Sequence, residues 1–277
     1  MMSNSDIYSE CCLVPKHTSA TKLRIRALRA VDEPHTSFIF MKKHREVLEY
    51  YGLEMITSNN DNWPNNPNVY LLVTESLTTG EMIAGARIHI ASPEFPLPIE
   101  DAVACVDPKI VDLIKKYSSQ GGVGELCGLW NSMHYKKIGL GIRLGRAAIA
   151  TANRLKLTTM MAIVGRPTLQ SCRNIGFVKS EILGDKGTFP YPKKDMLAWA
   201  LGVLNAKTLE TASALDKKFI LELREKPCQL RKEQTGRLAL EIDYKLNMEL
   251  ETSYANLKSN ETRISTGVFR FTGIREY

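Results

Sequence analysis

The chain has 277 residues, with 44% hydrophobic residues, 24% charged residues and a net charge of +7. These proportions are near the average of soluble globular proteins, so they exclude a disordered, a collagen-like or a membrane-embedded chain. The longest apolar runs, such as Met160 to Val164, are far shorter than the roughly 20 residues that an integral membrane helix needs. The length fits one large domain or one domain with an appendage.

The positive charge fits an anionic cofactor, an acidic carrier protein, an anionic membrane surface or nucleic acid. Nucleic acid is the weakest of these, because the sequence has no dense basic block with interleaved aromatic residues and no DNA-binding motif. The six cysteines form no CxxC pair and the N-terminal sequence is not a secretory signal, so we expect reduced thiols and a cytoplasmic protein. The five histidines lack metal-ligand spacing, and we expect no metal site.

Hydrophobic periodicity predicts the secondary structure, because strands repeat every two residues and helices every 3.6. The predicted strands are, in chain order, 22–29, 69–75, 82–91, 125–131, 158–164, 178–183 and 237–246. The predicted helices are 34–51, 108–117, 142–155, 167–174, 215–227 and 247–262. Asp32 is available to cap the first helix, which ends at Gly52, and residues 92–107 are predicted to be a loop. The segment 194–204 fits either a strand or a helix.

The order of these elements predicts a mixed α/β (α+β) protein in three parts. Residues 1–21 are polar and form a mobile N-terminal tail. Residues 22–204 form the main domain, and residues 205–277, where the pattern changes, form a C-terminal helix–strand extension. We found no internal repeat and no low-complexity segment.

The strongest local feature is a glycine loop, KKIGLG, between a predicted strand and a predicted helix. The start of a helix has unbonded N–H groups and a partial positive charge, and glycines let a phosphate approach the backbone closely. Four basic residues add positive charge in or after this loop: Lys136, Lys137, Arg143 and Arg146. The loop therefore predicts a pyrophosphate site, although an ordinary strand-to-helix turn remains the alternative.

The segment LWNSMHYKKIGLGIRLGRAAIATA resembles the acyl-CoA-binding segment of the GNAT acyltransferases, which is a strand, then Q/R-x-x-G-x-G/A, then a helix. Lys136 stands at the first position of that motif, and Gly139 and Gly141 match its glycines. Downstream, LQSCRNIGFV resembles the family's LYxxxGF segment. The resemblance covers about residues 40–200 and implies a GNAT-like mixed central sheet, flanked by helices, in which two parallel strands splay apart.

A narrower resemblance rests on HREVLEYYGLE, VYLLV, GEMIAGARI and ELCGL, which are similar to acyl-homoserine-lactone synthases and N-acyl amino acid synthases. Arg87 matches the strand arginine of that branch, and Glu125 matches the glutamate of its E-x-S-R motif. The serine and arginine of that motif are Cys127 and Gly128 here, and the loop carboxylates that help lactone synthases hold S-adenosylmethionine are reduced to Asp61. These departures disfavour that substrate, whereas the KKIGLG loop favours a donor with a pyrophosphate.

The resemblance implies an N-acyltransferase that moves an acyl group from acyl-CoA, or from acyl carrier protein, to the primary amine of an amino acid-like small molecule. Glu125 is then the candidate base, Cys172 the candidate proton donor to the leaving thiolate, and Arg87 the candidate ligand of an acceptor carboxylate. The donor-binding residues that it implies are Leu129, Trp130, Asn131, Lys136, Lys137, Gly139, Leu140 and Gly141.

Each of these residues also has an ordinary structural interpretation. Glu125 fits a solvated strand edge, Cys172 and Trp130 fit a packed core, and Arg87 fits a solvent-exposed position. The alternative functions are acyl-homoserine-lactone synthesis, a non-catalytic module that binds acyl-CoA, and a membrane-surface protein that uses a helix at 208–232. The extension is expected to cover the acceptor site or to mediate homodimer formation.

Overall fold

The structure, a computed structural model, describes residues 20–236 and 238–248, and the ten strands of this part form one mixed sheet. The strands are β1 (Thr21–Arg29), β2 (Val69–Ser76), β3 (Met82–Ile90), β4 (Val123–Asn131), β5 (Thr159–Gly165), β6 (Val178–Lys179), β7 (Thr188–Pro190), β8 (Leu197–Val203), β9 (Cys228–Thr235) and β10 (Leu238–Lys245). The α-helices are α1 (Pro34–Tyr51), α2 (Pro98–Val103), α3 (Lys109–Ser119), α4 (Leu140–Arg154), α5 (Arg166–Asn174) and α6 (Ala214–Glu225).

Two parallel strand pairs interrupt an otherwise antiparallel sheet. The strand order is β6-β8-β5-β4-β3-β2-β1-β10-β9, and β7 also pairs with β8. The parallel pairs are β4–β5 and β1–β10. This mixed sheet, with helices against it, confirms the predicted fold class and places β4 and β5 side by side near its centre.

Helices cover both faces of the sheet. On one face, Phe40 of α1 and Trp63 of a short 3-10 turn pack on alternate apolar residues of β2. On the same face, α2 and α3 enclose an apolar cluster that includes Val123 of β4 and Met161 of β5. The helix α4, rich in alanine, lies against β1 to β4 on the other face. The first residues of α4 and the side chains under α1 and α2 therefore approach β4 from opposite sides.

Two predictions about α1 and its surroundings need correction. The residue that precedes α1 is Glu33 rather than Asp32, and its carboxylate does not cap the helix but binds Arg26 and Thr36. The predicted loop 92–107 contains α2. Pro98 stands at the first position of α2, and the carboxylate of Glu100 accepts a hydrogen bond from the N–H of Leu97, which is a recognisable helix start.

The C-terminal part of the chain also differs from the expectation. The polar sequence CQLRKEQT forms the strand β9, which the sequence analysis did not predict, and the ambiguous segment 194–204 contains the strand β8. The predicted strand 178–183 shortens to β6. The strand β10 joins the main sheet beside β1, while the division of the chain at residue 204 stays a prediction. The predicted helix 247–262 lies outside the described residues, apart from Asn247 and Met248, which are not helical.

Candidate active site

The two central parallel strands separate along their length. β4 and β5 pair at only three positions, Val123–Thr159, Gly124–Met160 and Glu125–Met161. Beyond these positions β4 continues against β3 as far as Asn131, and β5 continues against β8 as far as Gly165. Among the described residues, the facing edges of β4 and β5 therefore have no ladder partner there, and a gap opens between them. This gap is the splay that the sequence resemblance implied.

A β-bulge in β4 lies at the start of the unpaired edge. Arg87 of β3 stands opposite Cys127, and Gly85 stands opposite Trp130, so three steps along β4 match two steps along β3. Gly128 within the bulge has a φ of +55°, and a Cβ atom on it would lie 2.6 Å from Nε of Arg87. Because of this backbone conformation and this contact, only glycine fits at position 128.

Glu125 occupies the last paired position of β4, where β5 begins to part from it. Its side chain is fully buried. Its Oε2 accepts a hydrogen bond from the N–H of Ile99 in α2 (2.7 Å), whereas Oε1 has no hydrogen-bond partner among the described residues. Burial raises the pKa of Glu125 to about 8, although the Ile99 hydrogen bond and the charge of Arg87 lower it. A carboxyl group with this pKa can exchange a proton near neutral pH.

Arg87 lies beside Glu125 on the same face of the sheet and is also fully buried. Its guanidinium group lies 4.4 Å from the ring centroid of Trp63, and Nη2 donates to the carbonyl oxygen of Ser58. Its Nε and Nη1 atoms have no nitrogen or oxygen partner in the described part of the chain, and the guanidinium group interacts with the neighbouring thiol of Cys127. Arg87 is therefore not solvent-exposed, which excludes that alternative interpretation, and its Nε and Nη1 donors are available to an anionic group.

Two histidines, His44 of α1 and His89 of β3, complete the polar surroundings of Arg87. His89 stands opposite Glu125 in the β3–β4 ladder, and its Nε2 has no hydrogen-bond partner within the described ranges. Burial and the charge of Arg87 lower the pKa of His89 well below its ordinary value and lower the pKa of His44 to about 3. Both imidazoles are therefore neutral near pH 7. Hereafter, Arg87, His89, Glu125 and Cys127 are called the central cluster.

The predicted pyrophosphate loop forms the start of α4. Lys137 and Gly139 have positive φ angles of 64° and 73°, and α4 begins at Leu140. A Cβ atom on Gly141 would lie 3.7 Å from the side chain of Leu129, so this part of β4 lies next to the first turn of α4. The Nδ2 atom of Asn131 donates to the carbonyl oxygen of Tyr135 (2.9 Å) and fixes the entry to the loop.

The basic residues of this loop and of α4 differ in their availability. Lys137 is exposed, and the ammonium group of Lys136 lies 5.1 Å from the ring centroid of Tyr50. Arg143 and Arg146, in contrast, bind carboxylates of the C-terminal part. Nε of Arg143 lies 2.7 Å from Oε2 of Glu233, and Nε of Arg146 lies 2.6 Å from Oδ1 of Asp216. The two arginines therefore do not add free positive charge to the loop, contrary to our expectation.

Cys172 and Trp130 are both buried. Cys172 lies on α5, and burial raises the pKa of its thiol to about 12, so the thiol stays protonated. The ring of Trp130 packs edge-on against Phe40, with 5.7 Å between the centroids, and its Nε1 has no hydrogen-bond partner among the described residues. The proposed roles of these residues remain predictions.

Two residues close to Arg87 and Glu125 were not predicted as site residues. His89 was not singled out, although Arg87 and His89 stand two residues apart in an apolar strand and must therefore share one face. Tyr191 also lies close, because its hydroxyl oxygen accepts a hydrogen bond from the N–H of Thr57 (2.7 Å), and burial raises its pKa, with the carboxylate of Glu125 raising it further. In the described residues, no group of three or more His, Cys, Asp or Glu side chains could hold a metal ion, and no helix is long and apolar enough to cross a membrane.

Comparisons with known proteins place this geometry in a known fold. No protein-family model matches the sequence, and no curated protein sequence matches it. Among solved structures, the chain is similar to FeeM, an N-acyl amino acid synthase from uncultured soil microbes. The TM-score is 0.52 at 13% identity, over 72% of this chain and 99% of that one.

Two further structures are CoA-dependent acyl-homoserine lactone synthases. MesI has a TM-score of 0.48 at 10% identity, over 73% of this chain and 95% of that one. BjaI has a TM-score of 0.47 at 12% identity, over 85% of this chain and 99% of that one. The likeness to FeeM, together with the splayed β4–β5 pair, shows that the chain has the GNAT acyltransferase fold.

Proposed function

We propose that the chain is an N-acyltransferase that moves an acyl group from a CoA thioester to the primary amine of an amino acid-like acceptor. The observation that carries this proposal is the separation of β4 and β5, with a buried Glu125 at the point of separation and a glycine loop at the start of the adjacent α4. The fold supports it, since the similar protein FeeM is described as an N-acyl amino acid synthase.

The donor is proposed to bind along the unpaired edge of β4. The amides of Gly139, Leu140 and Gly141 bind the diphosphate, with Lys136 and Lys137 at hand to neutralise its charge. The pantetheine arm then continues into the gap and forms hydrogen bonds with the backbone of residues 129–131, whose edge lacks a ladder partner. An N–H group of this edge polarises the thioester carbonyl and stabilises the negative charge that develops on its oxygen.

The acceptor is proposed to bind in the central cluster. Nε and Nη1 of Arg87 have no nitrogen or oxygen partner among the described residues, and each can donate a hydrogen bond to a carboxylate oxygen. The Oε1 atom of Glu125, also without a partner, faces the acceptor amine. The buried positive charge of Arg87 is thus compensated when an amino acid carboxylate binds, which favours an anionic acceptor over a neutral amine.

In the proposed reaction, ionised Glu125 removes a proton from the acceptor ammonium group. The neutral amine nitrogen then attacks the thioester carbonyl carbon, the new C–N bond forms, and the C–S bond breaks as the electron pair leaves with the sulfur. The second proton on nitrogen passes to solvent as the amide forms, and the CoA thiolate takes up one proton. The resemblance implies Cys172 as the donor of that proton, but burial raises the pKa of this thiol to about 12, so we propose solvent as its source.

The proposal is tested by incubating the purified full chain with acyl-CoA and single amino acids, with free thiol and N-acyl products measured together. We expect equal amounts of thiol and N-acyl amino acid, and at least tenfold less product from the corresponding amino acid methyl esters. Glu125→Gln should lower turnover by a factor of about 100 or more and leave CoA affinity unchanged, because Gln keeps the hydrogen bond to Ile99 but cannot act as base. Tight CoA binding without any product would instead indicate a non-catalytic binding module.

Two arms of the same assay separate the remaining donors and acceptors. The chain carries a net charge of +7, which favours an acidic acyl carrier protein as a second donor, and an acyl-carrier arm tests this directly. A second arm supplies S-adenosylmethionine in place of the amino acid. Release of an acyl-homoserine lactone in this arm would identify S-adenosylmethionine, and not an amino acid, as the acceptor. Glu94→Gln is the control for Glu125→Gln, since Glu94 is exposed just before α2 and is not among the charges that act on the pKa of Glu125.

A further inference from the structure

A buried cluster connects the C-terminal strand β9 to the proposed diphosphate loop. Arg143 of α4 donates from Nε to Oε2 of Glu233 (2.7 Å) and from Nη1 to the carbonyl oxygens of Ile138 and Gly139 (3.0 Å each). Tyr244 of β10 donates its hydroxyl to Oε1 of Glu233 (2.8 Å). Both side chains of the ion pair are only 4% exposed. Hereafter, Arg143, Glu233, Thr235 and Tyr244 are called the loop-anchoring cluster.

The loop-anchoring cluster fixes two consecutive peptide groups of the loop. In a trans peptide, the carbonyl oxygen and the following N–H point to opposite sides. The carbonyl groups of Ile138 and Gly139 both point to Arg143, so the N–H groups of Gly139 and Leu140 point away from it. Thr235 adds a third contact, because its hydroxyl donates to the carbonyl oxygen of Ile138 (3.2 Å).

Gly139 is part of the same arrangement. Its φ is +73°, and a Cβ atom on it would lie 2.6 Å from Nη1 of Arg143 and 3.3 Å from Oγ1 of Thr235. The loop backbone therefore packs directly on Arg143 and β9. Glu233 fixes the orientation of the guanidinium group, which in turn fixes the loop, so the effect of Glu233 on a ligand at the loop is indirect.

We propose that Arg143 and Glu233 are positioning residues for the donor, which hold the loop amides in the orientation that binds the diphosphate of CoA. This proposal rests on the proposed function and deepens it, because it assigns a role to the β9–β10 part of the C-terminal extension. Arg143 is not a phosphate ligand in this arrangement, since its donors are already bound to Glu233 and the two carbonyl oxygens.

The test compares the affinity of the full chain for CoA and for pantetheine, which lacks the diphosphate, by calorimetry. Glu233→Gln should weaken CoA binding at least tenfold, Thr235→Val by about two- to fivefold, and neither should change pantetheine binding. In turnover assays, the KM for acyl-CoA should rise while the KM for the acceptor stays constant. Tyr244→Phe, which keeps all charges, should weaken CoA binding a few-fold and remains informative if Glu233→Gln fails to fold.

Asp216→Asn is the matched control. Asp216 also binds an arginine of α4 from the C-terminal part, with similar burial and distance, but its partner Arg146 makes no contact with the loop carbonyls. This variant should lose stability yet keep CoA affinity within twofold.

Three outcomes would overturn the proposal. Equal or tighter CoA binding by Glu233→Gln would show that the loop does not depend on the ion pair, and so would equal losses in Glu233→Gln and Asp216→Asn. A loss of pantetheine affinity equal to that of CoA would show a general structural effect. Wild-type protein that binds no CoA would refute the proposed function itself, and this inference with it.

Discussion

Arg87 and Arg143 are both buried beside a buried glutamate, yet their hydrogen bonding differs completely. Arg143 donates from Nε, Nη1 and Nη2, and both oxygens of Glu233 accept hydrogen bonds. Arg87 has two donor nitrogens with no nitrogen or oxygen partner, and Oε1 of its neighbour Glu125 has no partner, within the described residues. One buried ionic group is therefore saturated by the protein, and the other is incomplete.

This difference separates a structural role from a binding role. Buried polar groups are almost always hydrogen-bonded, so unpaired atoms that lie next to each other need an explanation. In the central cluster, a ligand with a carboxylate and an amine would supply the missing partners. In the loop-anchoring cluster no such partner is missing, which is why we assign it to the position of the loop and not to contact with substrate.

Replacing Arg143 or Arg87 with methionine tests whether the two buried arginines have different roles. The larger loss of stability is expected at Arg143. Arg143→Met leaves Glu233 with the more distant Arg231 (3.7 Å) as its cationic partner, so we expect the free energy of unfolding to fall by about 3 kcal/mol, the lower end of the range for breaking a buried pair. Urea denaturation at pH 7 measures this. Arg24→Met is the control, because the ion pair of Arg24 with Asp243 is partly exposed and should cost at most about 1 kcal/mol. Equal losses of stability in Arg143→Met and Arg24→Met would show that the buried ion pair of Arg143 stabilises the fold no more than a partly exposed one.

Glu125→Gln should change how stability depends on pH. The pKa of Glu125 is about 8 in the folded chain and about 4.5 when unfolded, so the folded state holds the extra proton between these values and loses stability as pH rises through them. The variant lacks this loss, and we expect its stability relative to wild type to increase by up to about 1.4 kcal/mol per pH unit in this window. Urea curves at pH 5, 6.5 and 8 test this. A stability difference between Glu125→Gln and wild type that stays the same at all three pH values would contradict the raised pKa of Glu125.

Arg87→Met should have a small effect on stability. The unpaired donors disappear with the charge, and Glu125 remains protonated and neutral, so we expect the free energy of unfolding to stay within about 1 kcal/mol of wild type. The KM for the amino acid acceptor should nevertheless rise at least tenfold, with CoA affinity unchanged. A large loss of stability would show that Arg87 is a structural residue like Arg143.

The smallest expected effect concerns the charge of Asp101, which contributes to the raised pKa of Glu125. Asp101→Asn removes a neighbouring negative charge and should lower the pKa of Glu125 by a few tenths of a unit, which is less than about 1 kcal/mol. The rising limb of kcat/KM against pH, expected near pH 8 in wild type, should move to lower pH by this amount. A shift to higher pH would contradict the assignment of Glu125 as the base.

Local patterns predicted much of the fold. Alternation along β1 and β10, the hairpin of β2 and β3, and the end of α1 at Gly52 all depend on neighbouring residues, and the structure contains them near the predicted positions. The strand β9 was missed because its residues alternate between exposed and half-buried, so no apolar period marks it. Its pairing with β10 comes from tertiary structure and not from intrinsic preference.

The sequence by itself determined most strands and helices, apart from α2, β7 and β9, together with the glycine loop before α4 and Arg87 and Glu125 as the residues to examine. Only the tertiary structure decided their surroundings. Arg143 binds the carbonyl oxygens of the loop just before it and also Glu233, which lies 90 residues further along the chain. The pKa of Glu125 is raised by burial under α2, against the lowering effect of Arg87 from a different strand. Burial and hydrogen bonding are properties of atoms brought together by folding, and the spacing of residues along one chain does not encode them directly.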